Sequence, residues 1–117
     1  MAGVMAIRVT ASFENDMIEI CECAQVPGDA GLRVDVADIG AVAVFRHEGG
    51  YYVTDDKCTH GEASLSEGEV FGEEVECPFH KGAFSFRTGK PTARPCLIPL
   101  KTYPVHVADG KVYILLD

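Results

Sequence analysis

An all-β fold is what this 117-residue sequence predicts, on three observations. Twelve glycines and six prolines are scattered along the chain, which favours many turns over long helices. Apolar and polar residues alternate in the stretch that begins at Leu32 and again near the C-terminal end, the period-two pattern of half-buried strands. No convincing amphipathic helix, internal repeat or low-complexity tract interrupts that pattern.

Taken in order, the first apolar run, AGVMAI, is cut off by Arg8 and carries neither a charged lead-in nor a cleavage pattern. It reads as part of a short extension over residues 1–16, ahead of a single domain over 17–117. Cys21 and Cys23 fall on one face of a short strand, with no His or Cys partner nearby in sequence, and read as small apolar packing. LRVDVADIGAVAVFRHEGGYYVTDD, from Leu32, predicts successive strands with a hairpin at Gly49-Gly50. ASLSEGEV has room for a single helical turn, and VFGEEVEC for a short turn-linked strand pair. In KTYPVHVADGKVYILLD, Asp109-Gly110 between two alternating segments is the strongest short hairpin signal a sequence offers.

A chain of this length removes roughly 65% of its unfolded surface from water and folds without staples. Eighteen acidic against ten basic residues give a formal net charge of -8, which opposes binding to nucleic acid or anionic lipid and favours partners with basic faces. No stretch approaches the ~20 apolar residues of a membrane span. The expectation is a soluble, cytoplasmic monomer. Five cysteines, at 21, 23, 58, 77 and 96, make an odd count without an export signal, so metal or redox use gains weight over a disulfide framework.

Regular alternation gives way between residues 56 and 97, where CTHGEASLSEGEVFGEEVECPFH places Cys58 two residues before His60 and Cys77 three before His80. Each pair supplies one thiolate and one imidazole from a short loop, and Gly61 and Gly82 just beyond would let the chain fold back. A structural zinc site, and with it an interaction module, is one reading of two cysteines and two histidines. The order argues against it, because ordinary fingers put both cysteines before both histidines and carry the histidines on a helix.

These residues resemble the Rieske family, whose pattern is Cys-x-His, a stretch of about this length, then Cys-x-x-His. The likeness runs from about Met17 and takes in VTDDKCTHG, CPFHKGAFSF and IPLKTYPVHVADGKVYI. It implies an antiparallel β-sandwich base, with a small inserted subdomain over about residues 56–97 that carries one [2Fe–2S] cluster near its tip. It further implies that Cys58 and Cys77 bind one iron while His60 and His80 bind the other. Neutral imidazoles in place of two thiolates make an added electron easier to accept, which puts such clusters at roughly -150 to +300 mV.

Rieske proteins of respiratory and photosynthetic complexes add a disulfide between the loops, and hydroxyl donors to cluster sulfur. This sequence has Ala63 and Phe79 at the first pair of places and Gly82 and Phe84 at the second. Each missing hydrogen bond of ~1 kcal/mol moves a one-electron potential by roughly 40 mV, so the low end of the range is expected. The pattern without the disulfide is similar to soluble Rieske ferredoxins of bacterial aromatic-ring-hydroxylating dioxygenases. That implies an electron carrier and no enzyme, with a flavin-dependent ferredoxin reductase as donor and a terminal Rieske oxygenase as acceptor. A carrier for nitrite reduction is the alternative. His47 and His106 read as ordinary surface or strand residues, Cys96 as packing that, by the resemblance, lies near the cluster with Pro95, and the acidic runs as solvated faces or steering charge.

Overall fold

Turn chemistry sets the hairpins. The computed structural model describes residues 7–9, 17–59, 63–78, 82–94, 96 and 98–115. Strand β4 (Gly40–His47) pairs antiparallel with β5 (Gly50–Asp55) across a two-residue turn, Glu48-Gly49, with φ of 50° and 81°. Two positive φ angles match the right-handed twist of the flanking strands. The hairpin expected at Gly49-Gly50 therefore turns one residue earlier, and Gly50 already pairs with His47. The Asp109-Gly110 turn falls where the sequence puts it, at φ of 53° and 74°, and joins β11 (Val105–Ala108) to β12 (Lys111–Leu115).

Two sheets enclose the larger core. One has the order β1-β3-β4-β5-β10, with β1 at Ile7–Val9, β3 at Leu32–Val36 and β10 at Thr102–Tyr103; the other is β11-β12-β2, with β2 at Met17–Glu22. Ile18 and Ile20 from β2, Val112 and Ile114 from β12, and Val34, Val42, Val44 and Val53 from the first sheet interleave there. Every pairing in these sheets is antiparallel except that of β1, which runs parallel to β3. Ile7–Val9, inside the segment expected to be a plain extension, thus adds a strand to the sheet edge.

Strand β4 serves two cores at once. Val42 and Val44 face the sandwich, while Ala43 and Phe45 belong to a second cluster with Leu65, Val75, Phe84, Phe86 and Leu100. Alternate side chains of a strand leave opposite faces, and here both faces are covered, so all four residues are buried. Over the second core lies a third sheet of three-residue strands, β6 (Glu69–Phe71), β7 (Glu74–Glu76), β8 (Ala83–Ser85) and β9 (Pro91–Ala93). The pair expected in VFGEEVEC is β6–β7, and the helical turn expected in ASLSEGEV is a 3-10 turn at Leu65–Glu67.

Phe86 fastens this sheet to the base. Its ring stacks on Phe45 of β4 with centroids 4.7 Å apart and planes within 8°, and meets Tyr52 of β5 at 5.5 Å. Such pairs contribute about 0.5–1.5 kcal/mol beyond the area they bury.

Candidate metal centre

Both candidate cysteines stand at the start of a loop that closes on itself. The Cys58 N–H donates to the Ala63 carbonyl at 2.9 Å, and the Cys77 N–H donates to the Gly82 carbonyl at 2.6 Å. The same five-residue closure occurs twice, following β5 in one case and β7 in the other. Cys58 and Cys77 are each 1% exposed, and both belong to the second core. The chain thus brings into one apolar cluster two thiols that lie far apart in sequence. His60 and His80, the expected imidazole partners, lie outside the described residues, as do Gly61, Phe79 and Pro95.

The first loop is held by a carboxylate that sequence reasoning did not single out. Asp56, 2% exposed, accepts from the Ser66 N–H at 2.8 Å through Oδ1 and from the Ser64 hydroxyl through Oδ2. The hydroxyls of Ser64 and Ser66 lie 3.0 Å apart, and the Leu65 N–H donates to the Asp56 carbonyl at 2.7 Å. Arg33 places Nη1 3.9 Å from Oδ2. A buried carboxylate is tolerable only with its lone pairs occupied, and here they grip the returning limb of the loop. The signal available in sequence was the second Asp of VTDDKC, next to the first candidate loop and preceded by apolar strand.

Cys96 is the other residue whose position matters. It is 2% exposed and sits in the same cluster as Cys58 and Cys77. Burial first, then the charge of Cys58, a hydrogen bond with Cys58 and the charge of Cys77 push its thiol up to about 12. A side chain at Gly82 would collide with the Cys96 sulfur and lie 3.0 Å from its backbone nitrogen. Gly82 is therefore required by close approach; the freedom to fold back expected of it is not what the site uses. The Thr59 hydroxyl, donating to the Ile98 carbonyl at 2.8 Å, ties the first loop to the segment that carries Cys96.

The remaining candidates stand apart from this cluster. Cys21 belongs to the sandwich core, where burial, then Cys23, Glu19 and Glu22, raise its thiol to about 12. Cys23 is half-buried and begins a 3-10 turn, so it does not share the strand face expected for the pair. His47 lies edge-on to Phe86 at 6.4 Å with Nε2 3.7 Å from Glu48, and His106 of β11 is exposed beside Tyr113 of β12. Ala63, where relatives with an inter-loop disulfide would have cysteine, is buried and supplies the carbonyl that closes the first loop. Among the described residues no three His, Cys, Asp or Glu side chains could grip a metal ion by themselves. The donor set present fits half of a two-loop centre, with two buried sulfurs from matched loops and a cradle at Gly82 that a Cβ would fill.

Two thiols buried in twin loops above an all-β sandwich, each followed in sequence by a histidine, mark a small iron–sulfur protein with one Rieske-type [2Fe–2S] cluster. The chain belongs to the Rieske [2Fe-2S] domain family, whose model matches residues 16–104. It is 42% identical over 98 residues to the 3-phenylpropionate/cinnamic acid dioxygenase ferredoxin subunit of Escherichia coli K12, covering 83% of this chain and 91% of that protein. The structure of a Sphingomonas yanoikuyae B1 ferredoxin superposes with a TM-score of 0.83 at 42% identity, over 86% of this chain and 98% of that one. A chain in the complex of reduced oxygenase and oxidized ferredoxin of carbazole 1,9a-dioxygenase superposes with a TM-score of 0.80 at 39% identity, over 87% of this chain and 94% of that one. The chain is accordingly an electron-transfer component of the ferredoxin kind, not itself a catalytic subunit. Among the described residues no helix is long and apolar enough to cross a membrane.

Proposed function

We propose that Cys58 and Cys77 ligate one iron of the cluster and His60 and His80 the other, within a cluster-binding unit over about residues 56–97. We propose further that the protein carries single electrons from a flavin-dependent, NAD(P)H-oxidising ferredoxin reductase to the terminal Rieske oxygenase of an aromatic-ring dioxygenase. The observation that carries this reading is the convergence of Cys58 and Cys77, each 1% exposed, at the foot of two loops closed by the same backbone hydrogen bond. When bound, the cluster supplies reversible one-electron reduction at a potential raised by its two imidazoles.

The chain's own residues hold that centre and keep water from its sulfurs. Phe84, Leu65, Val75 and Phe86 pack the two cysteines into a dry core, which protects thiolate ligands from solvent and oxidants. Asp56 fixes the return of the first loop, and Gly82 leaves the room that the second loop and Cys96 share. The likeness to a ferredoxin chain solved with its oxygenase supports a terminal oxygenase as the acceptor.

The test is a preparation isolated anaerobically from iron-replete cells. It should contain about two irons and two sulfides per chain, with visible and EPR spectra that change on dithionite reduction. Replacing any one of Cys58, His60, Cys77 or His80 with Ala should abolish that signal. The dithionite-reduced protein should be reoxidised by an oxidised terminal oxygenase. A colourless protein with stoichiometric zinc and no sulfide would overturn the cluster assignment.

A further inference from the structure

Cys96 is a buried thiol in the core of the cluster-binding unit that the proposed ligand set does not use. Its sulfur is located from three sides. The Cys96 N–H donates to the Ala93 carbonyl at 3.2 Å, which anchors the residue to the end of β9. The sulfur fills the space in which a side chain at Gly82 would lie. Gly82 accepts the Cys77 N–H at 2.6 Å, so Cys96 packs directly on the backbone that closes the second ligand loop. Its thiol shares one buried apolar cluster with Cys58 and Cys77, near enough that the charge of Cys58 acts on it.

We propose that the Cys96 S–H donates a hydrogen bond to the Cys58 sulfur while that sulfur ligates iron, and that this bond raises the reduction potential of the centre. The inference rests on the ligand assignment proposed above. A ligating thiolate sulfur can only accept, and a neighbouring thiol is a weak donor whose bond strengthens as its acceptor gains negative charge. Reduction adds one electron to the centre and leaves part of the extra charge on its sulfur ligands. The bond is therefore stronger in the reduced state, and a donor held there favours reduction. Positions 82 and 84 supply no hydroxyl, being glycine and a fully buried phenylalanine. The room beside Gly82 is filled from a separate segment by a group that can donate. Cys96 is on this account a tuning residue beside the ligands and not a ligand.

The experiment is a redox titration of the holoprotein with Cys58 intact, comparing wild type, Cys96→Ala and Cys96→Ser, with iron and sulfide assayed on each. Cys96→Ala should hold a full complement of both and shift the reduction equilibrium about fivefold toward the oxidised form, ~40 mV at 59 mV per tenfold. Cys96→Ser keeps a donor of similar size and should restore the wild-type potential or exceed it. A fully loaded Cys96→Ala with unchanged potential would overturn the proposal. Should Cys96→Ala fail to load, the S–H stretching band of wild type, assigned by its loss in Cys96→Ser, decides the matter. It moves to lower frequency on reduction if the bond exists, and a band that stays put rejects it. Cys58→Ala retaining iron and sulfide would instead reject the ligand assignment, so the two failures are distinguishable.

Discussion

Asp56 occupies a place where a carboxylate is costly, 2% exposed in the floor of the loop after Cys58, and it is kept there by what it holds. Asp56→Asn would keep the amide oxygen on the Ser66 N–H and turn its N–H₂ toward Ser64, whose hydroxyl must then accept where it now donates, and both bonds lose the charge that strengthens them. The expected loss is about 1–3 kcal/mol of folding stability, read by urea unfolding, with faster bleaching of the visible spectrum in air. Asp55, its neighbour, has a different task, accepting the Tyr103 hydroxyl at 2.6 Å from 48 residues away. Burial and that carboxylate hold the Tyr103 hydroxyl well above the ordinary tyrosine range, while Cys21 is pushed from 9.0 to about 12. Both pKa values are raised on folding, so the folded chain keeps protons that the unfolded chain releases. Their stabilisation is complete below about pH 9 and is lost as pH climbs toward 12. The melting temperature should fall across that window, and Tyr103→Phe with Cys21→Ala should flatten the fall. The adjacent aspartates are alike in sequence, and only contacts with Tyr103 on one side and Ser64 and Ser66 on the other tell them apart.

Among the elements, β8 and the Phe86 that follows it join the third sheet to the base. Phe86→Ala removes the stack on Phe45 and the contact with Tyr52, and should cost about 3–5 kcal/mol. Hydrogen exchange should rise in β6 to β9 before it rises in β2 and β12, because that ring belongs to the core under the third sheet and not to the sandwich core. The long hairpins were legible because alternation and turn residues agree over many positions, as at Asp109-Gly110. Strands β8 and β9 were not, since three residues contain too little of a period-two pattern to distinguish strand from loop. The parallel pairing of β1 with β3 was also invisible, because it joins Ile7 to Val34 with no local turn to announce it.

Across the whole molecule, a formal charge of -8 is carried partly by carboxylates that face water, among them Glu67, Glu69 and Glu74. Glu73 is engaged by Arg87 at 3.2 Å and Glu74 by the Thr92 hydroxyl at 2.9 Å, so part of the acidic run GEEVE also braces the third sheet. The field of the carboxylates left without a cationic partner, Glu74 among them, should steer encounters with a basic docking face. Stopped-flow electron transfer from this protein to a terminal oxygenase should slow severalfold as ionic strength rises from about 0.01 to 0.15 M, where the Debye length falls from ~30 to ~8 Å. A rate constant independent of salt would mean that the acidic face plays no part in docking. By itself the sequence determined the all-β class, the main hairpins and the twin Cys-and-His motif, because strand alternation and turn chemistry are local and the spacing of ligands within one loop is short. Only the tertiary structure decided that Asp56 locks a loop, that Gly82 is glycine for want of space, and that Cys96 shares a buried cluster with Cys58 and Cys77. Those roles arise where distant segments meet in a dry core, and contact between segments far apart in the chain has no periodicity to reveal it.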